Sequence, residues 1–253
     1  MAGKKFWRGW KRFLRKEERK LEEFVEYEET LLAKWGYWVL KKIFGPMVRW
    51  IWIKEVQGLE NIPKDGAVIV ASNHMSYFDF FCFMAISPRN IHYLSAEKFL
   101  YSRFWRALIK LTGQVVVDRR SKDKSREHQV ILSLLEQKRM FGIFPEGTRS
   151  RTGKIQKPFT GVARFAIRSQ APVVPVGVSG TYEIMPPSAK FPKFLKRCSI
   201  NIGKPIYIHD HYKIAQGSEE NKKLHETITH HVMKEVAQLC GQDYPHDKDN
   251  HNK

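Results

Sequence analysis

From Gln57 onward the chain alternates short β-rich apolar runs with stretches of helical periodicity, and this alternation restricts the fold more than any other feature. Strand-like runs lie at 67–71, 91–95, 114–118, 141–144, 173–178, 197–202 and 206–208. Helical patterns lie at 77–85, 103–111, 125–137, 161–168 and 219–239. Such alternation predicts an α/β fold: a mixed central β-sheet flanked by helices. The 253 residues suffice for one such catalytic domain, expected over 56–240, with short appendages. The sequence shows no internal repeat and no Gly-rich dinucleotide fingerprint.

The ends differ in character from this middle. Residues 1–20 carry nine basic side chains against Glu17 and Glu18, interleaved with Phe6, Trp7, Trp10, Phe13 and Leu14. That pattern suggests an interfacial helix. Residues 31–53 are richer in apolar and aromatic side chains, but Lys34, Lys41, Lys42 and Arg49 interrupt them and Gly45-Pro46 breaks them. A bilayer-spanning helix needs about 20 mainly apolar residues, and this stretch falls short. Two amphipathic helices hinged at Gly45-Pro46 are expected instead, a membrane-binding motif that makes residues 1–55 an anchor. The competing reading is a helix pair packed on the catalytic domain. Of seven Trp residues, five lie between Trp7 and Trp50 and Trp52 makes a sixth, which favours the membrane. Residues 241–253 are polar and aperiodic, and are expected to form a disordered tail.

A formal net charge of +18 implies an anionic partner, either nucleic acid or an anionic lipid surface. Cys82, Cys198 and Cys240 form neither a disulfide framework nor a Cys-x-x-Cys clip, and Cys82 and Cys198 lie in runs that favour buried structural thiols. Without a signal-peptide pattern, the catalytic part is expected at the cytoplasmic face of the cell membrane, peripheral or monotopic.

Three stretches offer chemistry. In the run 68–79, His74 follows an apolar strand and Asp79 comes five positions later. On one continuous helix the two would sit roughly 140° apart, so side-by-side placement requires a turn between them. Ser76 provides one as a helix N-cap, leaving His74 in the loop and Asp79 in the first helical turn. A histidine with one nitrogen fixed by a carboxylate has the other available to take a proton from a hydroxyl. Ser76-x-x-Asp79 equally matches a capping box, in which Asp79 merely satisfies helix N–H groups.

The run Phe144-Pro-Glu146-Gly147-Thr148-Arg149-Ser-Arg151 follows another strand, and open α/β sheets bind ligands at the carboxyl ends of their strands. Glycine there admits close backbone approach, and arginine grips phosphate oxygens. Arg119 and Arg120 likewise follow the run 114–118. Solvated turn charges are the competing reading for each arginine. The run 174–180 reads as a core strand entering a glycine turn.

These stretches, in this order, resemble the motif set of the glycerolipid acyltransferase family, over roughly residues 53–205. The resemblance implies acyl transfer from acyl-CoA or acyl-carrier protein to the sn-2 hydroxyl of lysophosphatidic acid, with no further cofactor. It implies His74 as general base and Asp79 as its orienting partner. Arg119, Glu146, Gly147, Thr148 and Arg149 would contact the acceptor. The family often has Phe-Lys-x-Gly after its third motif, where this chain reads Lys157-Pro-Phe159-Thr-Gly161, so that Lys157 substitutes for the usual lysine. The implied partners are lysophospholipid, acyl thioester and an anionic membrane surface.

Two rival classes are testable from sequence. A nucleic-acid binder is disfavoured because the aromatics cluster with the N-terminal basic run and no recognition motif is present. A metal-dependent phosphate-ester hydrolase needs three or more ligands near His74, whereas the other histidines gather mainly near the C-terminus, where His230 and His231 read as solvated helix residues. No metal site is therefore expected.

Overall fold

The computed structural model describes residues 31–117, 124–215 and 221–246. The described residues form two compact units, one containing those up to Tyr37 and those within His92–Ile131, the other Trp38–Ile91 and those from Leu132 onward. The smaller unit closes locally: strands β3 (Ile91–Ala96) and β4 (Val115–Val117) pair in parallel across the helix α3 (Arg103–Thr112). Leu100, Ile109 and Val116 form its core, and the Gln114 side chain accepts from the Tyr93 amide at 2.7 Å.

The larger unit holds a mixed sheet in the order β1 (Ile53–Gln57), β7 (Cys198–Ile202), β6 (Val173–Ser179), β2 (Val68–Ser72) and β5 (Met140–Ile143). Strand β2 is parallel to both β5 and β6, β6 is antiparallel to β7, and β7 is parallel to β1. Every residue of β2 is buried, as its unbroken Val-Ile-Val-Ala-Ser run requires of a central strand. The helices α2 (Phe78–Ile86), α4 (Ser125–Glu136) and α5 (Gly161–Ser169) match the periodic patterns within one or two residues. Helix α8 (Lys222–Cys240) starts at Asn221, whose side chain accepts from the Leu224 amide at 3.0 Å.

Helix α8 packs its C-terminal end onto β6 at Gly177. A Cβ there would come within 2.4 Å of the Leu239 and Cys240 backbone. The Leu239 carbonyl also accepts from Asn201 on β7 at 2.7 Å. Cys82 and Cys198 are buried, in agreement with structural thiols.

Several expectations are corrected. The 31–53 stretch is one helix, α1 (Leu31–Ile51), running through Gly45-Pro46 rather than hinging there. The reason is tertiary packing. Lys41 donates to the Ser87 carbonyl, Gly45 lies against Ala85, and Val48 and Trp52 are buried. These positions form one stripe on both sides of Pro46, and docking them holds the helix through the one hydrogen bond proline forfeits. The opposite stripe, Val39, Ile43, Met47 and Trp50, is exposed. The helix expected within residues 1–20 and the candidate site residue Arg119 lie outside the described residues.

Strand β1 was not expected, since its Ile-Lys-Glu-Val-Gln pattern is that of a charged edge strand. The run 206–208 supplies only a single bridge between Ile206 and Val173 before a helical turn, α7 (Ile208–His211). In the tail expected to be disordered, Gln242 receives the Ile155 amide at 3.0 Å and donates to the Gly153 carbonyl at 2.9 Å. His230 and His231 are half-buried rather than solvated, hydrogen-bonded to Tyr244 at 2.7 Å and Tyr212 at 2.9 Å.

Replacing Gly177 by Ala is expected to cost about 1–3 kcal/mol, because a methyl there must displace helix backbone. Chemical denaturation of the variant checks this, and an unchanged midpoint would show that α8 shifts without cost.

Candidate active site

Strands β2 and β5 are adjacent and parallel, with Ala71 opposite Ile143, so the chain leaves both at the same edge of the sheet. Beyond β2, Asn73 is fully buried and its side chain closes on β6, donating to the Val178 carbonyl at 2.7 Å and receiving the Val178 amide at 2.8 Å. This fixes the exit of the strand one residue before His74.

The turn after Asn73 brings His74 and Asp79 together, as the catalytic reading required. His74 Nδ1 lies 2.9 Å from Asp79 Oδ2, and the same oxygen receives the amides of Met75 and Ser76, each at 2.9 Å. Ser76 Oγ accepts from the Phe78 amide at 3.0 Å and donates to the Met185 carbonyl at 2.7 Å. Met75 and Ser76 precede α2, whose N-cap is Tyr77, so this one carboxylate oxygen ties the turn before the helix to the imidazole. Asp79 is fully buried, while the His74 side chain keeps 16% of its surface accessible. The imidazole stacks on Phe144 with ring centroids 4.0 Å apart.

The second motif grips the first through backbone. Beyond β5 the chain turns at Gly147, whose φ of 68° favours glycine and whose amide donates to the Phe144 carbonyl at 2.9 Å. The His74 amide donates to Glu146 Oε1 at 2.8 Å, and the His74 carbonyl accepts from the Ser150 amide at 2.8 Å. Glu146 Oε2 accepts from the Gln156 amide at 2.8 Å.

Arg149 lies over the Tyr77 ring, 3.4 Å from its centroid, and its Nη1 is buried with no hydrogen-bond partner. An unsatisfied guanidinium nitrogen beside the His74 turn is a ready donor to an anionic group. Gly147 and Thr148 are exposed at the rim. Lys157 is exposed on the same loop. Phe159, at the family's lysine position, packs over Gly147: a Cβ at 147 would lie 3.0 Å from its ring. Among the described residues no cluster of His, Cys, Asp and Glu is arranged to hold a metal.

Residues 54–179, which contain both motifs, match the family model described as Acyltransferase. This chain belongs to the acyltransferase family. It is 28% identical over 190 residues to the 1-acyl-sn-glycerol-3-phosphate acyltransferase of Borreliella burgdorferi, covering 73% of this chain and 72% of that protein. It is 30% identical over 183 residues to the protein of the same name from Saccharomyces cerevisiae, covering 70% of this chain but only 57% of the yeast protein. The crystal structure of PlsC, the 1-acyl-sn-glycerophosphate acyltransferase of Thermotoga maritima, superposes with a TM-score of 0.61. That match covers 81% of each chain, and at 24% identity it is a likeness of fold.

Glu146 braces the two motifs: it is only 2% exposed and each of its oxygens accepts a backbone amide. Burial raises its carboxyl to about 7, against the lowering effect of the amides of His74 and Gln156 and with a smaller raising effect from Asp79. Sequence reasoning missed Asn73, Ser150, Gln156 and Gln242. Asn73 sits beside the histidine and was readable as a strand-end anchor. The two glutamines are ordinary loop residues and carry no local signal.

Because the folded value lies above the ordinary 4.5, the Glu146 contribution to stability is full below pH 4.5 and is lost as pH rises through about 7. Unfolding free energy of the wild type should therefore fall relative to Glu146→Gln across that window. Denaturation at a series of pH values tests it, and parallel profiles would sink the assignment. Replacing Gln242 by Ala should loosen the loop 153–156 and so reduce turnover with little change in the Michaelis constant for the thioester; steady-state kinetics separate the two parameters.

Proposed function

We propose that the chain transfers a fatty acyl group from a thioester to the sn-2 hydroxyl of lysophosphatidic acid, making phosphatidic acid. The observation that carries this reading is His74, whose Nδ1 is held by Asp79 while 16% of its side-chain surface stays accessible. With Nδ1–H donating to the carboxylate, Nε2 is the basic nitrogen. It removes the proton of the acceptor hydroxyl as the oxygen attacks the thioester carbonyl. The new C–O ester bond forms, the C–S bond breaks, and the departing thiolate takes the proton back from the imidazolium. Asp79 steadies that imidazolium. No acyl-enzyme is involved: Ser76 is engaged with Phe78 and Met185, and Cys82 is buried. The reaction balances without metal or cofactor.

Arg149 offers its unpartnered Nη1 to the acceptor's phosphate, with Gly147 and Thr148 admitting the glycerol at the rim. Arg119 and Lys157 are assigned as further phosphate contacts on the family resemblance. The names of the Borreliella and yeast relatives support lysophosphatidic acid as acceptor. Another lysolipid is the alternative, because Phe159 stands where the family often has lysine. The donor is acyl-CoA or acyl-carrier protein.

The lipid substrate places the work at a membrane. No helix among the described residues is long and apolar enough to cross one. Helix α1 instead turns Ile43, Met47 and Trp50 outward, with Trp50 76% exposed. An outward apolar stripe fits a monotopic anchor on the anionic cytoplasmic leaflet. Nucleic acid is not a partner on this reading.

A thiol-release assay over a panel of lysolipids and both donor types tests the assignment. His74→Ala should lose about 10²–10⁴ in rate. Arg149→Ala should raise the Michaelis constant for phosphate-bearing acceptors far more than for the thioester. Full activity of His74→Ala, or a trapped acyl-enzyme in single turnover, overturns the mechanism, and loss of activity in excess chelator would revive a metal-dependent one.

A further inference from the structure

The segment leading into β7 reads Ala-Lys-Phe-Pro-Lys-Phe-Leu-Lys-Arg over residues 189–197, four basic side chains and no acid. Phe191 and Phe194 are each 80% exposed, and Leu195 is 37% exposed. Lys190, Lys193, Lys196 and Arg197 stand exposed around them. Aromatic side chains so open to water, interleaved with cations, form a surface with a definite complement.

This segment is pinned. The Lys193 amide donates to the Ile184 carbonyl at 2.8 Å, and the Lys193 carbonyl accepts from Trp52 Nε1 at 2.7 Å. Phe194 stacks on the Trp52 ring at 5.6 Å, and Trp52 in turn meets Phe78, the first residue of α2, at 5.0 Å. Upstream, the Met185 carbonyl is held by Ser76 Oγ, two residues from His74. The segment is thus tied both to the end of α1 and to the turn that carries the catalytic pair.

We propose that residues 189–197 are a second membrane-contact element, in which Phe191 and Phe194 enter the acyl boundary of an anionic bilayer and the four cations meet lipid phosphates. Apolar insertion combined with electrostatic attraction is how interfacial segments hold to anionic lipid. An acidic carrier protein would match the charge, but it gives no reason for two phenylalanines to project between the cations. Contact here adds to α1 a second fixed point and sets the His74 turn at a constant depth relative to the headgroups. The proposal concerns lipid binding alone, so it stands or falls separately from acyl transfer.

The test uses the full chain and vesicles of phosphatidylcholine with phosphatidylglycerol. Phe191→Ser, and separately Lys190→Gln with Lys196→Gln, should each lower vesicle partition about tenfold at low salt. Phe191→Trp should preserve it. An environment-sensitive dye on Phe191→Cys, in a Cys240→Ser background, should shift to the blue when vesicles are added. Unchanged partition of Phe191→Ser, or a dye that still reports water, overturns the proposal. So does a lysine variant that loses capture by acyl-carrier protein while keeping its vesicle binding. Phe191 is largely solvent-exposed, so equal thermal melts for its variants separate a binding defect from misfolding.

Discussion

Asp79 Oδ2 is the point on which fold and chemistry both turn. A single buried oxygen receives the imidazole of His74 and the amides of Met75 and Ser76. Hydrogen bonds to a charged group contribute about 1.5–3 kcal/mol each, and a buried donor left unpaired costs a comparable amount. The carboxylate therefore shapes the turn out of β2 and selects the histidine tautomer at once. The same bonds that stabilise the turn hold the ring in place, so on the proposed mechanism the base is preorganised by folding rather than by substrate.

Glu146 performs the complementary task on the backbone of the same residue. Because β2 and β5 are parallel neighbours, their exits lie side by side, and one side chain can bridge them. It ties the His74 amide to the Gln156 amide, and Gln242 ties the next residues, Gly153 and Ile155, to the end of α8. Two buried carboxylates thus flank one histidine, one on its ring and one on its backbone. Burial without a cationic partner explains why Glu146 titrates near 7.

The unusual side of the molecule is outward. Val48 in helix α1 and Trp52 just past its end are buried, while the reverse of the helix exposes an apolar stripe. A helix apolar on both faces has no reason to leave one in water, and on the proposed reading the bilayer covers it. Trp52, at the junction between that helix and β1, also holds the 189–197 segment through its indole N–H.

Local periodicity was enough to read the alternating α/β pattern, the apolar strand before His74 and most helix limits, because buried strands and amphipathic helices leave their period in the chain. The His74–Asp79 pair and the Glu146–Arg149 turn were also legible, since each combines a strand end with residues of narrow chemical use. Only three dimensions could decide the rest. The continuity of α1 through Pro46 depends on docking to Ala85 and Ser87, which outweighs the local break. Strand β1 exists because β7 lies beside it. The inward role of Glu146 and the clamp made by Gln242 arise from contacts between residues 72 and 87–89 positions apart, and no local rule encodes a partner at such a separation.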